Sequence, residues 1–486
     1  MAKQTSTTVI FLITAIILLV CAGLIRPKDI NNSAFSDQGE GFYSNFTDPL
    51  TSTELTVINF NEALGMATPF NVTLKKGRWL IPSHHNYPAD AKEKMESIAA
   101  GLIGIIKDEI RSEQPADHAA LGVINPDDMS VSSISGRGTR VTLKNKSGQI
   151  LCDYIIGKDV EGKDGFKYVR IPKQNRTYAA KIDLSFSTEF SDWVETDLLQ
   201  LSAVNINQLN FRNYSINEGK MIQGKSFQLT QKESKWSITG MPADKEINTQ
   251  KVTSVTTTLS DLEITGVRKK PEGLASFLKV AKKGLSQMDM ISLNNKGFYI
   301  HKNQLFSNEG ELHILTKDAV VYVIRFGELF FGTGLDITAG AETDQSKKDE
   351  NEKKKGSANR YIFITADFSP EHKPEPEKPG TKPEKPADDA KDDVKKAYDL
   401  ALTAFNEKSE KHADWIVQVK TGKKKAKELN DHYADWYYVI SGGSYDKIKV
   451  PYTELLQDAV KEDDKKDDPN SPNIPSNFKF PVGPSQ

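Results

Sequence analysis

From Thr56 onward, apolar and polar residues alternate with period two in short runs, and each group of runs leads into one stretch with helical spacing. Val57-Ile58-Asn59-Phe60 and Phe70 to Ile81 predict strands. Met95, Ile98, Ala99, Leu102 and Ile105 then fall on one face of a helix, with Asp90 placed as its N-cap. The pattern recurs in Val204-Asn205-Ile206, in Phe227 to Ile238, and in a helix carrying Val252, Val255, Leu259 and Leu262. Phe70 to Trp79 (FNVTLKKGRW) and Phe227 to Trp236 (FQLTQKESKW) share Phe, Thr, Lys and Trp in register. Pro-Ala-Asp follows in both, at 88–90 and 242–244, and each helix runs into a basic turn before a proline, Ile110 to Pro115 and Val267 to Pro271. Agreement across these landmarks predicts one supersecondary unit used twice. The matched positions of Trp79 and Trp236 favour paired core anchors over ligand-stacking rings.

Further alternating runs extend each copy. Arg140 to Leu143, Ile150 to Ile156 and Tyr168 to Ile171 follow the first, and Glu311 to Leu315 and Val320 to Phe326 follow the second, the last two joined by a turn at 316–319. Tyr361 to Ile364 reads as the strand that closes the second sheet. The fold class is therefore α+β: duplicated antiparallel-sheet-plus-helix units, an N-terminal transmembrane helix and a C-terminal helical extension. The expected organisation is an anchor over 1–28, a linker over 29–53, a first repeat with hairpin extension over 54–200 and a second repeat over 201–368. A disordered loop occupies 337–359 within the second repeat. A Pro/Glu/Lys linker covers 369–387, a helical region 388–456 and a disordered tail 457–486. The helical region is expected as one long helix or as a hairpin bent near Thr421-Gly422.

The anchor is the uncharged run Val9 to Ile25, bounded by Lys3 and by Arg26-Pro27-Lys28. It would span roughly 25 Å as a helix, the short end for a membrane span. A cleavable signal peptide ending before Gly23 is the rival reading, and lipidation at Cys21 is disfavoured by the bulk of Val20. A short N-terminal tail left inside places the bulk of the chain outside the cytoplasmic membrane. Composition changes little else. Net charge is −2, from 64 basic and 66 acidic residues, so no global field favours nucleic acid. Of the two cysteines, Cys21 lies in the apolar run and Cys152 reads as a small buried hydrophobe, which leaves stability to packing.

No catalytic, cofactor or metal constellation stands out. Adjacent histidines such as His84-His85 point to opposite faces of an extended segment and do not chelate one ion from it. His118, beside Asp117, fits a backbone hydrogen bond better than a base, and the acid pair Asp127-Asp128 lies in a loop. Lys423-Lys424-Lys425 reads as a solvated face. The strongest binding candidate is the aromatic group Trp436, Tyr437 and Tyr438. Consecutive residues cannot all face inward on a helix, so one of the three is a candidate partner surface, set against a helix end docked on the sheet.

Several of these stretches together resemble a bacterial family, domain of unknown function 4340, in versions seen in planctomycete-type bacteria. They are Arg26-Pro27, Gly77 to Asp90 (GRWLIPSHHNYPAD), Asp117 to Val123, Tyr322 to Gly327, Asn359-Arg360-Tyr361, Leu429-Asn430 and Ala434 to Ser441. The resemblance implies a single-pass membrane-anchored protein with a duplicated β-plus-helix unit. It also implies an accessory role beside transporter components of the gliding-motility ABC type, and no activity. The leading expectation is a non-enzymatic envelope scaffold or auxiliary subunit. An extracytoplasmic module that captures glycan or peptide is the alternative, and an envelope hydrolase comes third.

Overall fold

The computed structural model describes residues 15–16, 37–62, 65–217, 219–275, 285–302, 304–332, 338–339 and 357–459. The Val9 to Ile25 span, apart from Ala15 and Ile16, lies outside the described residues, as do most of the 337–359 loop and the tail beyond 459. Among the described residues, no helix is long and apolar enough to cross a membrane. The architecture is α+β, and the chain divides into two compact units at Trp193/Val194.

Unit 1 holds strands β1 (Ser52–Asn61), β2 (Met66–Lys75), β3 (Arg78–Ile81), β4 (Tyr87–Pro88) and β5 (Glu109–Ser112). They are followed by β6 (Thr139–Asn145), β7 (Ile150–Asp159), β8 (Phe166–Arg170) and β9 (Thr177–Lys181). All pair antiparallel in the order β4-β3-β2-β1-β6-β7-β8-β9-β5. Helix α1 (Lys92–Leu102) buries Met95, Ile98, Ala99 and Leu102, the face its spacing predicts. Asp90 is not its cap. Ala91 holds that position without a side-chain bond, and the Asp90 backbone N–H donates to Trp193 O at 2.8 Å. The expected basic turn at 110–115 begins as edge strand β5, paired with β9. Residues 37–53 are more than a linker: Phe42 and Phe46 are buried, and Phe42 meets the rings of Tyr154 and Tyr178 edge-on.

Unit 2 holds β10 (Ile206–Arg212), β11 (Tyr214–Asn217), β12 (Lys220–Gln223), β13 (Phe227–Lys232), β14 (Lys235–Ile238), β15 (Lys245–Ile247) and β16 (Gly266–Lys269). Then come β17 (Phe298–His301), β18 (Gln304–Ser307), β19 (Glu311–Thr316), β20 (Val320–Gly332), β21 (Ser357–Phe368), β22 (Trp436–Ser441) and β23 (Leu456–Asp458). Its main sheet runs β14-β13-β10-β19-β20-β21-β22-β16. Strand for strand this is the order β3-β2-β1-β6-β7-β8-β9-β5 of unit 1. The register breaks also correspond: Ser52/Glu54 with Ile206/Gln208, and Ile156/Asp159 with Phe326/Leu329. In each unit a helix precedes the last edge strand. In unit 2 it is α3 (Thr249–Ser260), capped by Asn248, with Val252, Val255 and Leu259 buried; the shorter helices α2 (His118–Leu121) and α4 (Gln287–Asn294) belong to units 1 and 2 respectively.

Three expectations fail in the last part of unit 2. The 388–456 region is not only helical, because β22 lies inside the second sheet between β21 and β16. Tyr361 to Ile364, within β21, is consequently interior rather than closing. Residues 457 and 458, expected in the tail, belong to strand β23, which pairs with β15, and Lys245 bonds Asp458 at 2.5 Å.

Candidate functional site

Trp436, Tyr437 and Tyr438 form no exposed surface. They lie on β22 rather than on a helix, and their relative exposures are 7, 0 and 0%. A strand with neighbours on both sides and layers on both faces buries consecutive residues, which a single amphipathic helix cannot do. Tyr437 stacks on Phe298 at 6.0 Å and meets Phe363 edge-on, and its hydroxyl bonds Ser292 at 3.1 Å.

The tryptophans also depart from expectation. Trp79 and Trp236 are half-buried, each on the short strand that ends its hairpin, whereas Phe70 and Phe227 occupy the cores. His84 and His85 diverge from a helical turn rather than along an extended segment. His84 is buried and stacked on Phe190 at 4.4 Å, while His85 is exposed in a left-handed conformation. His118 Nε2 contacts the Asn175 carbonyl at 2.7 Å, and burial lowers its pKa. Asp127 pairs with Arg140 at 3.0 Å, and Asp128 accepts from the Ser130 hydroxyl and backbone N–H. Cys152 is fully buried, its thiol pushed up to about 12 by burial. No group of three His, Cys, Asp or Glu side chains among the described residues is placed to hold a metal ion.

The structure adds features that the sequence pattern does not separate from ordinary strands. The basic run at 267–270 is edge strand β16 and its exit, and alternation turns Arg268 and Lys270 inward while Lys269 stays exposed. Lys270 Nζ lies 3.8 Å from the Phe363 ring centre and donates to Tyr433 O at 3.0 Å, with burial holding its pKa well below the usual lysine value. Lys296 sits 4.9 Å from the Tyr437 ring, and Arg268 lies 5.1 Å from that of Phe330. Elsewhere in unit 2, Glu311 is buried between Arg212 at 2.9 Å, Arg325 at 3.1 Å and His313 at 3.2 Å.

The most distinctive element is an arm. In unit 1, β8 joins β9 through residues 171–176; at the matching position of unit 2, residues 369–435 intervene between β21 and β22. They contain α5 (Asp392–Tyr433), a single helix of 42 residues, about 63 Å long. Gly422 does not bend it. A Cβ at this glycine would lie 2.6 Å from the Phe368 ring, so the glycine instead lets the helix approach β21. Only Gly422, Ala426, Leu429 and Tyr433 of the helix are buried. Asn430 locks this end to β21 through its side chain and both backbone groups of Ala366.

Before Gly422, the helix is accompanied by the Pro/Glu/Lys segment running back along it. Trp415 Nε1 donates to Lys373 O at 2.9 Å, His412 contacts Glu375 at 3.0 Å and Lys408 bonds Glu377 at 2.8 Å. Val394, Leu400, Ile416 and Val417 remain exposed on this part. The lysine run is partly paired, Lys425 with Asp318 at 2.8 Å and Lys424 with Glu428 at 3.6 Å.

Residues 79–276 match the model of the family described as Domain of unknown function (DUF4340). The match begins in β3 and ends after β16, so the arm lies outside it. No curated protein and no solved structure matches the chain.

Proposed function

We propose a scaffold function for this chain, which belongs to the DUF4340 family through residues 79–276. In this reading, units 1 and 2 are copies of one sheet-plus-helix module, tethered to the cytoplasmic membrane by Val9 to Ile25 and held outside it. The arm of unit 2 docks a partner protein, and the chain is a non-enzymatic auxiliary subunit of a transporter-type envelope assembly. One observation carries it: the arm is inserted where unit 1 has a short connection, and none of the first thirty residues of its helix is buried. A helix braced by a strap and carrying apolar side chains in solvent suits docking better than it suits stabilising the module. The shared strand order supports the duplication, and the family resemblance suggests the class of partner.

The test is co-purification from mild detergent of the full chain and of a variant whose residues 374–414 are replaced by a short Gly/Ser turn. The Trp415 indole N–H reaches Lys373 O at 2.9 Å, which puts the cut backbone ends within about 10 Å, a span that three or four Gly/Ser residues bridge. A stoichiometric membrane partner lost with the arm supports the proposal. A partner retained without the arm removes the docking role. Hydrolysis of cell-wall material by the intact chain would overturn the non-enzymatic reading.

A further inference from the structure

The helix of the arm has two unlike sides at its far end. Lys408, His412 and Trp415 bond the strap, and the half-buried Tyr398, Leu402 and Phe405 continue their line at helical spacing. At about 100° per residue, Leu400 lies on the opposite side, and it is 74% exposed. Ala397, Ala401 and Ala404 share its face and are exposed as well. Alanines on a bare helix follow from propensity alone. A leucine held in solvent among three small neighbours does not, and it suits the close approach of a second helix.

Charge is sorted along the same side. Asp393 extends the face toward the helix N-terminus and Lys411 extends it toward the other end, while Lys396 and Glu407 flank it on one edge. All four are exposed, and among the described residues none of them enters an ion pair within the chain. A parallel partner helix of the same sequence would set Asp393 against Asp393 and Lys411 against Lys411. An antiparallel one, centred between Leu400 and Ala401, sets Ala397 against Ala404 and Leu400 against Ala401. It also brings Lys396 within about 3 Å of the level of Glu407, and Asp393 within about 5 Å of that of Lys411. Two-fold symmetry makes each of these contacts twice.

We propose that the far end of the arm pairs antiparallel with the same segment of a second copy of this chain. Leu400 and the three alanines form the contact, and the pairs Lys396–Glu407 and Asp393–Lys411 fix its direction. The strap lies on the other side and stays in place. Gly422, where each helix meets its sheet, is about 32 Å from the centre of the pair, which leaves room for both copies of unit 2. A contact of about five turns buries less than about 1,200 Å2, so the pair is weak and reversible. Ile416 and Val417, about 24 Å nearer the sheet than Leu400, remain open for the partner protein proposed above. The pairing needs the arm to stand free, as that reading does, but it does not need that partner.

The test is disulfide crosslinking of the purified full chain in mild detergent, with no other protein present. The background is Cys21→Ser, and the remaining Cys152 is buried. Ala401→Cys, at the centre, should crosslink with its own mate roughly tenfold faster than Asn406→Cys, which is exposed on the far side of the helix. Ala404→Cys should not crosslink with itself, because the two positions stand about 10 Å apart along the axis. Mixed with Ala397→Cys, it should. Lys396→Glu should slow the Ala401→Cys crosslink severalfold, and Glu407→Lys added to it should restore the rate. Leu400→Asp should bring it down to that of Asn406→Cys. Crosslinking at Ala401→Cys no faster than at Asn406→Cys, self-crosslinking at Ala404→Cys, or a charge reversal that Glu407→Lys fails to rescue overturns the antiparallel pairing. Such a failure leaves the docking role of the arm untouched, since that is read from the variant lacking residues 374–414.

Discussion

The Trp415 indole N–H donates to the Lys373 carbonyl at 2.9 Å, which fastens the Pro/Glu/Lys strap to the long helix of the arm. Beyond that bond the strap holds mainly through solvent-exposed ion pairs, which contribute little. Trp415→Ala should therefore release the strap and leave the sheet untouched. Limited proteolysis is expected to cleave between residues 374 and 391 several times faster, with the thermal midpoint of the whole chain unmoved. Equal cleavage rates would show that the strap is held elsewhere.

A second pair sits inside a sheet. Arg140 on β6 lies bidentate on Asp153 of β7, with Nε–Oδ1 at 3.0 Å and Nη2–Oδ2 at 2.8 Å, and Thr142 adds a bond to the same carboxylate at 2.9 Å. Hydrogen bonding and attraction from Asp153 raise the Arg140 pKa against its burial. Removing one partner strands the other in a half-buried setting, so Arg140→Ala and Asp153→Ala should each cost about 2–4 kcal/mol. The double variant should cost less than the sum, as a double-mutant cycle by chemical denaturation would read.

The repeat FNVTLKKGRW/FQLTQKESKW locates both hairpins, yet the residues that anchor them are the phenylalanines. Phe70 pairs opposite Val57 and Phe227 opposite Phe211, each on the first strand of the sheet. Trp79 and Trp236 fall on β3 and β14 at the sheet margin, where one side of the strand lacks a long neighbour. Phe70→Ala and Phe227→Ala should each cost about 3–5 kcal/mol, and the matching Trp→Ala changes about 1 kcal/mol. Comparable losses at the tryptophans would restore them as anchors.

Periodicity makes legible what packs on one face. The helices α1 and α3, and strands such as β6, β7, β19 and β20, lie where alternation or helical spacing puts them. It fails where burial is two-sided or where charge is buried. Trp436-Tyr437-Tyr438 has no alternation to read because β22 is covered on both faces. Arg268 and Lys270 look like a solvated turn because a buried cation over an aromatic ring has the same sequence signature as an exposed one. The cleft lined by Asn213, Tyr214, Ile222, Glu309, Lys449 and Pro451 gathers residues from three separate segments of the chain, and no local pattern links them.

Acid should act on unit 2 through Glu311. Burial alone would raise its pKa, but the His313 ring at 3.2 Å and the attraction of Arg325 and Arg212 outweigh that, and the net shift is downward. A carboxylate with a depressed folded pKa contributes stability that is present above its unfolded value, about 4.3, and is lost as pH falls through the folded one. Glu311→Gln should cost about 2–4 kcal/mol at pH 7, because Arg325 is left without its partner. It should also flatten the loss of stability below about pH 4.5. Urea unfolding at pH 7 and pH 3.5 measures both; parallel losses in the two proteins would remove Glu311 as the acid-sensitive group.

The two register breaks at Ile156/Asp159 and Phe326/Leu329 each contain a glycine pressed against backbone. A Cβ on Gly157 would collide with the Leu121 carbonyl and lie 2.7 Å from the Val123 side chain. One on Gly327 would collide with the Lys296 carbonyl and lie 2.6 Å from the Phe298 ring. In both units the obstructing chain follows a helix and turns through a left-handed glycine, Gly122 at φ 73° and Gly297 at φ 77°. Carbonyls fixed in such a turn do not yield as a flexible side chain does. Gly157→Ala and Gly327→Ala should therefore each cost about 1–3 kcal/mol, comparable in the two units if they are copies of one module. Gly148→Ala, at an open turn with nothing within 4 Å, tests overlap against strain, since its own φ of +80° leaves only the strain. If Gly327→Ala is tolerated and Gly157→Ala is not, the bulges differ in kind and the duplication loses its most local support.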